Sequence, residues 1–354
     1  MHILVTGGAG FIGSQLATWL RCYQGHAVTV LDNLVRRGSE ENLPQLKAHD
    51  IKFIHGDVRR REDFHGLRNI ELVCDCAAQA SVVTGYANPT FDLQNNAFGA
   101  IEVLEFARER EIPVIFWSTN RVYPAHRINN LPIEELPTRL SFKDRRLLEP
   151  IRGFDAKFGI SEKFTVDGGT HSIYGLSKLM ADLACQEYAQ AYGIPVIINR
   201  FGVVSGSGQF GHADQGFLVW WVIAHLLGQP LVIHGHDGKQ VRDVLFIEDL
   251  LALIDKQVPR IHEFAGQVFN VGGGAANAIS LLELTAKVQE RTKVKMNLGY
   301  LQEPRPNDLK LYWTDHRRVS AAFAWQPRVT IDEGLDRIVE WAQENLETLR
   351  RRCL

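Results

Sequence analysis

The chain has 354 residues, of which 45 % are hydrophobic and 9 % aromatic, enough to build the core of one large or two moderate domains. It carries 39 Lys and Arg against 41 Asp and Glu, a formal net charge of −2. This balance argues against a basic nucleic-acid-binding protein and against a polybasic protein of the membrane surface. The hydrophobic content also argues against a disordered chain.

The five cysteines show no framework spacing, and we expect them to be buried, reduced thiols rather than a disulfide scaffold. The N-terminal sequence MHILVTGGAGFIG has neither a basic nor a long apolar region, and no window of the chain approaches 18 apolar residues. We therefore expect no signal peptide, no membrane partner and a cytoplasmic location. No set of residues has the spacing of metal ligands, so no metal site is predicted.

Short apolar runs alternate with helical patterns over the first two-thirds of the chain. The predicted strands are His2–Thr6, Ala27–Leu31, Ile51–Ile54, Glu71–Cys76, Pro113–Trp117 and Pro195–Asn199, and the predicted helices include Phe11–Tyr23, Phe91–Arg110 and Tyr174–Tyr192. Such alternation predicts an α/β fold, a Rossmann-type doubly wound parallel sheet that is covered on both faces. We assign residues 1–200 mainly to this domain, and we expect some later segments to return to it.

After residue 200 the rhythm changes, and a smaller, mixed α/β substrate lobe is predicted, formed mainly by residues 201–354. Its predicted elements are helices over 216–228, Glu248–Lys256, Ser280–Thr292 and Ile331–Thr348, with strands over Leu231–Ile233, Arg242–Phe246 and Val268–Val271. The stretch Pro124–Gly169 is polar and irregular, which is typical of a substrate loop or an oligomer contact.

The strongest local signal is the glycine pattern of TGGAGFIG, which follows a strand and opens a helix. Gly7 allows a tight turn, Gly10 lets the backbone approach a pyrophosphate, and Gly13 lets the helix pack close to the strand. The first helical residues, Phe11 and Ile12, then offer free N–H groups to phosphate oxygens. The pattern predicts a dinucleotide site.

Acidic residues follow the second and third predicted strands. Asp32 ends the second strand, where a carboxylate can accept hydrogen bonds from ribose hydroxyls and repel a 2′-phosphate, which favours NAD over NADP. Asp57 and Val58 follow the third strand, and Asp57 is expected to hold the adenine amino group. Arg37 lies near Asp32 and either weakens the preference for NAD or is a solvated loop charge.

Tyr174 and Lys178 lie four residues apart on a predicted helix and so project from one face. An ammonium beside a phenol lowers the phenol pKa, and the tyrosinate can then accept a hydroxyl proton while hydride leaves the same carbon. Thr119 ends the predicted catalytic strand, where its hydroxyl can bond the reacting oxygen. The alternative for the Tyr174 and Lys178 pair is an ordinary surface pair.

Together these motifs resemble the extended short-chain dehydrogenases/reductases, the NAD-dependent nucleotide-sugar epimerases and dehydratases. The resemblance implies NAD as cofactor, a nucleotide-sugar substrate and a homodimer or homotetramer built from the helices near 92–110 and 174–192. The further cofactor-binding residues that it implies are Asn33, Ala77, Ala78, Gln79 and Asn96, beside Tyr174 and Lys178. The substrate-binding residues that it implies are Ser118, Asn120, Arg121, Arg200, Gln209, Phe210, Gln215, Lys239, Arg242, Arg305 and Asp308.

Residues 118–123, Ser-Thr-Asn-Arg-Val-Tyr, separate the activities of the family. Sugar dehydratases need an acid and a base after the threonine, whereas this chain has Asn120 and Arg121. This string, residues 208–216 and the string Gly-Lys-Gln-Val-Arg-Asp-Val over 238–244 are similar to the branch that epimerises CDP-paratose at C2. Epimerases of UDP- or GDP-hexoses at C4 and a non-catalytic NAD-binding regulator remain as alternatives.

One departure from the family pattern lies in the fourth predicted strand. Asp75 stands where the family usually has a histidine, two positions before the Ala-Ala pair. We expect this change to be a packing adjustment near the strand end. Pro124 is a second departure, because it replaces the glycine that usually follows Val-Tyr.

Overall fold

The structure is a computed structural model that describes residues 1–144 and 150–353. Its strands are β1 (His2–Thr6), β2 (Ala27–Asp32), β3 (Lys52–His55), β4 (Leu72–Asp75), β5 (Val114–Thr119), β6 (Ile133–Glu135), β7 (Leu140–Phe142), β8 (Phe154–Asp155), β9 (Gly159–Ile160), β10 (Val196–Phe201), β11 (Val203–Ser205), β12 (Leu231–His234), β13 (Val241–Phe246), β14 (Val268–Val271), β15 (Ala278–Ser280), β16 (Leu298–Leu301) and β17 (Leu311–Tyr312).

Most of the helices predicted from the sequence begin and end close to their predicted positions, and the structure contains further short helices. They are α1 (Phe11–Cys22), α2 (Leu43–Ala48), α3 (Val82–Ala87), α4 (Pro89–Leu93), α5 (Gly99–Arg110), α6 (Ala125–Asn129), α7 (Ile173–Tyr192), α8 (Phe217–Leu227), α9 (Ile247–Gln257), α10 (Leu281–Thr292), α11 (Arg317–Phe323), α12 (Ile331–Glu344) and α13 (Leu346–Cys353). A π-helical turn over Gln94–Phe98 interrupts the helix predicted over Phe91–Arg110. The predicted last helix is likewise divided, at Asn345.

A seven-stranded parallel sheet with the order β14-β10-β5-β4-β1-β2-β3 forms the centre of the fold. Its strands are apolar over nearly their whole length, and β4 and β5 are buried at every position. Strands of this kind have no polar face for water, so helices cover the sheet. The predicted Rossmann-type sheet is confirmed.

The chain forms two compact units. The first unit comprises Met1–Val122, Ile173–Arg200 and Leu251–Phe269, and the second comprises Tyr123–Ser172, Phe201–Leu250 and Asn270–Leu354. Helix α9, predicted in the C-terminal lobe, belongs to the first unit from Leu251 onward, whereas its first residues, up to Leu250, belong to the second unit. Strand β14, predicted in the same lobe, pairs with β10 in the central sheet because its apolar residues supply a further buried strand.

The second unit contains the mixed sheet β11-β13-β15, with β17 also paired to β13. Helix α8 is buried at Leu218, Val222 and Ile223 and packs against α10 and α12. The stretch predicted to be irregular forms helix α6 and the short antiparallel pairs β6–β7 and β8–β9. These strands were not predicted, because a strand of two or three residues is too short to show an alternating pattern of apolar and polar residues.

The described cysteines are free thiols. Cys74 and Cys185 are buried and Cys76 is half-buried, whereas the prediction of a buried thiol is wrong for Cys22, which is exposed. The side chain of Cys353 lies outside the described residues. Within the described part of the chain, no helix has the length and apolarity needed to cross a membrane.

A buried ion pair fixes the end of β10 against α7 in the first unit. The carboxylate of Asp182, which is fully buried, accepts hydrogen bonds from Arg200 Nη2 at 2.8 Å and Nε at 2.9 Å. Ser118 Oγ donates to the same carboxylate at 2.5 Å. The side chains of Ser118 and Arg200 are thus buried and bonded to Asp182, and their contact with substrate stays a prediction.

Replacing Asp182 tests this ion pair. Asp182→Asn leaves the guanidinium of Arg200 buried without a counter-charge, and breaking such a pair costs about 3–5 kcal/mol of unfolding free energy. Urea unfolding of the purified protein measures this loss. The matched control is Glu263→Gln, which removes an exposed carboxylate paired with Arg260 in the same unit and should leave the midpoint unchanged. Equal midpoints for Asp182→Asn and the wild type would contradict the assignment.

Candidate active site

The turn between β1 and α1 is shaped by close backbone packing. Gly7 has φ of +61°, and a Cβ there would lie 2.8 Å from the Cα of Ala77. A Cβ on Gly13 would lie 2.2 Å from the carbonyl oxygen of Gly7. Gly10 caps α1 without a side-chain hydrogen bond, so the first N–H groups of the helix, at Phe11 and Ile12, are left for a ligand.

Asp32 closes the other side of this turn. Its carboxylate accepts hydrogen bonds from the N–H of Ala9 at 3.0 Å and of Leu34 at 2.8 Å. Burial raises the pKa of Asp32, and these backbone hydrogen bonds oppose the rise. The residue thus presents a carboxylate fixed in place at the end of β2, as a ribose-binding acid requires.

Asp57 is held by a cation rather than left open. Arg59 donates to it at 2.6 Å and 2.9 Å, and Asn33 Nδ2 donates at 3.1 Å. The Arg59 hydrogen bonds lower the pKa of Asp57 to about 2. Val58 is buried in the core, where Gly99 packs against it.

The remaining predicted cofactor residues differ in exposure. Ala77 packs against Gly7, Ala78 is exposed, and Arg37 is also exposed. Three features match a dinucleotide with a free 2′-hydroxyl. They are the free N–H groups at the start of α1, the close backbone packing of the glycine turn and the fixed carboxylate of Asp32. The residues present therefore fit NAD.

Three predicted catalytic residues lie in the first unit. Tyr174 and Lys178 are one turn apart on α7, which packs against β5. The hydroxyl of Thr119, the last residue of β5, acts on the phenol of Tyr174 and lowers its pKa. The structure thus brings a phenol, a hydroxyl and an ammonium to one strand end, a set that can exchange a proton with a substrate hydroxyl.

The electrostatics of Tyr174 include effects that were not predicted. Burial raises the pKa of its phenol, whereas the hydrogen bond with Thr119 and the positive charge of Arg121 lower it. The negative charge of Asp92 raises it further. Arg121, two residues beyond Thr119, is thus one cation that favours the tyrosinate, and the expected lowering by Lys178 stays a prediction.

Lys178 is 2 % exposed, and its Nζ lies 4.3 Å from the centre of the Phe116 ring. An ammonium over an aromatic face is favoured by the ring's negative quadrupole. Burial lowers the pKa of Lys178, and nearby carboxylates oppose that effect.

A buried polar network that the sequence analysis missed holds α7 in place. Asp92 is fully buried and accepts hydrogen bonds from Ser177 Oγ at 2.5 Å, Gln79 Nε2 at 2.6 Å and Asn96 Nδ2 at 3.2 Å. Asn96, in the π-helical turn, also donates to Ser177 at 3.0 Å. The spacing of Asp92 and Asn96 on one helix face was the available signal.

This network changes the expectation for two predicted cofactor residues. The side chains of Gln79 and Asn96 bond to Asp92, and Asn96 Oδ1 accepts the N–H of Gln79 at 2.8 Å. Their side chains therefore position the loop after β4. A cofactor contact through these side chains would need these bonds to be exchanged.

The predicted substrate-binding cations of the second unit have partners within that unit. Arg242 Nη2 donates to the carboxylate of Asp308 at 2.7 Å. The carboxylate of Asp243 accepts backbone N–H groups, among them that of Gly274 at 3.0 Å, and burial raises its pKa to about 6.

Two further cations that were predicted to bind substrate, Lys239 and Arg305, also have partners. Lys239 Nζ donates to Glu135 at 2.5 Å, and Arg305 Nη2 donates to the carbonyl oxygen of Ala213 at 2.8 Å. Both are half-buried. These contacts leave further donors on each cation, since an ammonium has three and a guanidinium five.

Of the remaining predicted substrate residues, Gln209 and Phe210 belong largely to the core. Gln209 Oε1 accepts a hydrogen bond from Ser205 at 3.0 Å, and Phe210 packs edge-on against Trp341. Gln209 is only 9 % exposed, and its contact with substrate stays a prediction. Gln215 is half-buried in the turn before α8.

Asn120, the predicted neighbour of the catalytic hydroxyl, is buried, and its Oδ1 accepts a hydrogen bond from Thr119 at 3.4 Å. Among the residues that the structure describes, no group of three or more His, Cys, Asp or Glu is arranged to hold a metal ion. The described chemistry at this strand end is therefore that of hydroxyl, amide, phenol and ammonium groups.

Comparison with known proteins identifies the family to which the chain belongs. Residues 3–146 and 154–272 match the NAD dependent epimerase/dehydratase family. The chain is 32 % identical to a CDP-paratose 2-epimerase of Salmonella typhi over 96 % of its own length and 99 % of the relative's. It is 26 % identical to a putative UDP-glucose 4-epimerase of Methanocaldococcus jannaschii, covering 98 % of this chain and all of the relative.

Solved structures give the same fold. A UDP-glucose 4-epimerase of Thermotoga maritima with UDP-glucose has a TM-score of 0.77 and 27 % identity over 98 % of this chain and 100 % of its own. A Thermus thermophilus UDP-glucose 4-epimerase in complex with NAD has a TM-score of 0.74 and 25 % identity over 97 % of this chain and 99 % of its own. The chain belongs to the NAD-dependent epimerase/dehydratase family of the extended short-chain dehydrogenases/reductases, and it is an NAD-dependent sugar epimerase.

Proposed function

We propose that the protein epimerises a CDP-3,6-dideoxyhexose at C2, as in the conversion of CDP-paratose to CDP-tyvelose. The observation that carries the proposal is the catalytic strand end: α7, with Tyr174, packs against β5, which ends at Thr119, and the next residues are Asn120 and Arg121 rather than an acid and a base. Such a set can move one proton to and from a sugar hydroxyl, but it lacks the groups that eliminate water.

Tyr174 accepts the proton of the C2 hydroxyl in this mechanism, and Thr119 bonds to the oxygen that becomes a carbonyl. Arg121 favours the tyrosinate that accepts the proton, against the effect of burial. Lys178 would hold the ribose next to the nicotinamide. NAD bound at the glycine turn would supply the acceptor for the hydride of C2 and the donor for its return. After the flat keto sugar turns over, Tyr174 returns the proton to the oxygen, which gives the epimer.

The CDP-sugar assignment depends on sequence similarity at the substrate positions. The relative with 32 % identity is a CDP-paratose 2-epimerase, and the strings over 118–123 and 238–244 are similar to that branch. Arg242, Lys239 and Arg305 supply the cationic donors that a pyrophosphate needs. Epimerisation of a UDP-hexose at C4 is the second candidate, favoured by the relatives and structures with that activity.

A substrate panel tests the proposed reaction. NAD-loaded protein is incubated separately with CDP-paratose, CDP-glucose, UDP-glucose and UDP-galactose, and each sugar is followed by NMR. We expect a second set of sugar signals with CDP-paratose alone. Conversion of a UDP-hexose would instead support the C4 epimerase, and no conversion of any sugar by protein that binds NAD would contradict an epimerase of these substrates.

Removing the phenol hydroxyl of Tyr174 tests its role as proton acceptor. Tyr174→Phe should lower kcat by about 100-fold or more, the usual effect of losing a general base, while NAD still binds. The matched control is Tyr188→Phe, on the same helix, which loses only a hydrogen bond to Glu105 and should keep its activity. The role is rejected if the turnover of Tyr174→Phe stays close to that of the wild type.

We further propose that two copies of the chain pair through α7, which places the protein among homodimers or homotetramers. Leu176, Met180 and Leu183 lie on one face of α7 and are 40 %, 39 % and 48 % exposed. Phe98, at the end of the π-helical turn, is 55 % exposed. Apolar side chains at this helical spacing are typical of a covered face, and the family resemblance indicates that a second copy of the chain covers it.

The cytoplasmic location stays a prediction.

A charged substitution on α7 tests this pairing. Leu183→Glu places a charge in the proposed interface and should convert a dimeric protein to monomers in analytical ultracentrifugation. Val232→Glu, at an apolar residue of the second unit that is 42 % exposed, is the control and should leave the mass unchanged. A wild-type protein that sediments as a monomer at high concentration would contradict the pairing.

A further inference from the structure

Asp75 occupies the centre of the sheet, at the end of β4. It pairs in register with Thr6 of β1 and Phe116 of β5, so the three side chains leave the same face of the sheet. Asp75 is 2 % exposed, and its carboxylate accepts a hydrogen bond from Thr6 Oγ1 at 2.5 Å, while the N–H of Ala77 donates to Thr6 Oγ1 at 3.4 Å. A buried carboxylate is thus fixed between the cofactor turn and the catalytic strand.

Lys178 reaches the same row of side chains from α7. Its Nζ lies 4.3 Å from the centre of the Phe116 ring, the neighbour of Asp75 in that row. Both charged groups are 2 % exposed, so little water screens one from the other. The carboxylate and the ammonium therefore act on each other through a low-dielectric interior.

The charges around Lys178 can be compared. Burial lowers its pKa, and the strongest opposing effect is that of Asp75, ahead of Cys185, Asp182 and Cys76. The two thiols are neutral, because burial raises their pKa well above the ordinary value. Asp182 already neutralises Arg200.

Two further observations single out Asp75. The carboxylate of Asp92, on α4, is already held by hydrogen bonds from Ser177, Gln79 and Asn96. The effect between Asp75 and Lys178 is reciprocal, since Lys178 is the strongest influence that lowers the pKa of Asp75 against burial. Asp75, whose carboxylate also accepts the hydrogen bond of Thr6, is thus the main counter-charge of the buried ammonium.

We propose that Asp75 is a positioning residue that keeps Lys178 protonated, so that the ammonium can donate charge-assisted hydrogen bonds to the nicotinamide ribose. This inference rests on the proposed role of Lys178. It assigns a function to the residue that the sequence analysis treated as a packing change. The carboxylate acts through the lysine and touches neither substrate nor cofactor.

NADH affinity as a function of pH tests the proposal without using turnover. The dissociation constant is measured by quenching of protein fluorescence from neutral to alkaline pH in the wild type, Asp75→Asn, Thr6→Val and Lys178→Met. Asp75→Asn matches the shape of the carboxyl group and keeps an oxygen for Thr6. Thr6→Val removes that hydrogen bond but keeps the charge. Asp75→Ser replaces the asparagine variant if thermal unfolding shows that Asp75→Asn does not fold.

Removing the negative charge lowers the pKa of Lys178, so the neutral variant should lose the ammonium at a lower pH. We expect equal NADH affinity at neutral pH and a weakening in Asp75→Asn whose midpoint lies about one pH unit or more below that of the wild type. The midpoint of Thr6→Val should stay with the wild type, and Lys178→Met should bind weakly at every pH.

Coincident midpoints for Asp75→Asn and the wild type, with weak binding by Lys178→Met, would overturn the proposal alone. Wild-type affinity in Lys178→Met at every pH would overturn the ribose role of Lys178, and the inference would fall with it. A midpoint that moves equally in Thr6→Val and Asp75→Asn would assign the effect to loop structure and not to charge, and would also overturn the proposal.

Discussion

The carboxylate of Asp92 is the constraint on which the catalytic geometry depends. It is fully buried, and three side-chain donors from three segments satisfy it, one of them Ser177 on α7. A hydrogen bond to a charged group contributes roughly 1.5–3 kcal/mol, and leaving such a group unpaired costs more. Helix α7 is therefore held in one position, and Tyr174 and Lys178, on either side of Ser177 in sequence, are held with it.

The parallel sheet turns this local anchor into a site. Strands β1, β4 and β5 end at the same edge of the sheet. The glycine turn follows β1, Asp75 is the last residue of β4, and Thr119 is the last residue of β5. Ligands of open parallel sheets bind beyond this edge because there the chain leaves the sheet and side chains are free to reach them. A cofactor turn and a proton-accepting phenol thus lie in one unit of the chain without long loops.

Local sequence patterns predicted much of this arrangement, and distant partners explain the rest. The glycine turn and the Tyr174 and Lys178 pair follow from short spacings on a strand–turn–helix and on one helix face. The ion pair between Arg200 and Asp182 was not predicted, because the two residues lie on different elements and sequence spacing does not show their contact. The burial of Gln209 was not predicted either, because it depends on packing. The effect of burial on the pKa of Tyr174 was not predicted, because helix spacing shows which residues share a face, not how deeply a site is buried.

Isotope labelling tests the central claim, that the sugar carbon is oxidised and reduced again by one tightly held cofactor. CDP-paratose deuterated at C2 is converted by the NAD-loaded protein in ordinary water, and the position of the label in the product is read by NMR and mass spectrometry. The account predicts that the epimer keeps the deuterium at C2, because the same hydride returns to that carbon. Loss of the label to water would contradict it and would indicate proton abstraction from carbon instead.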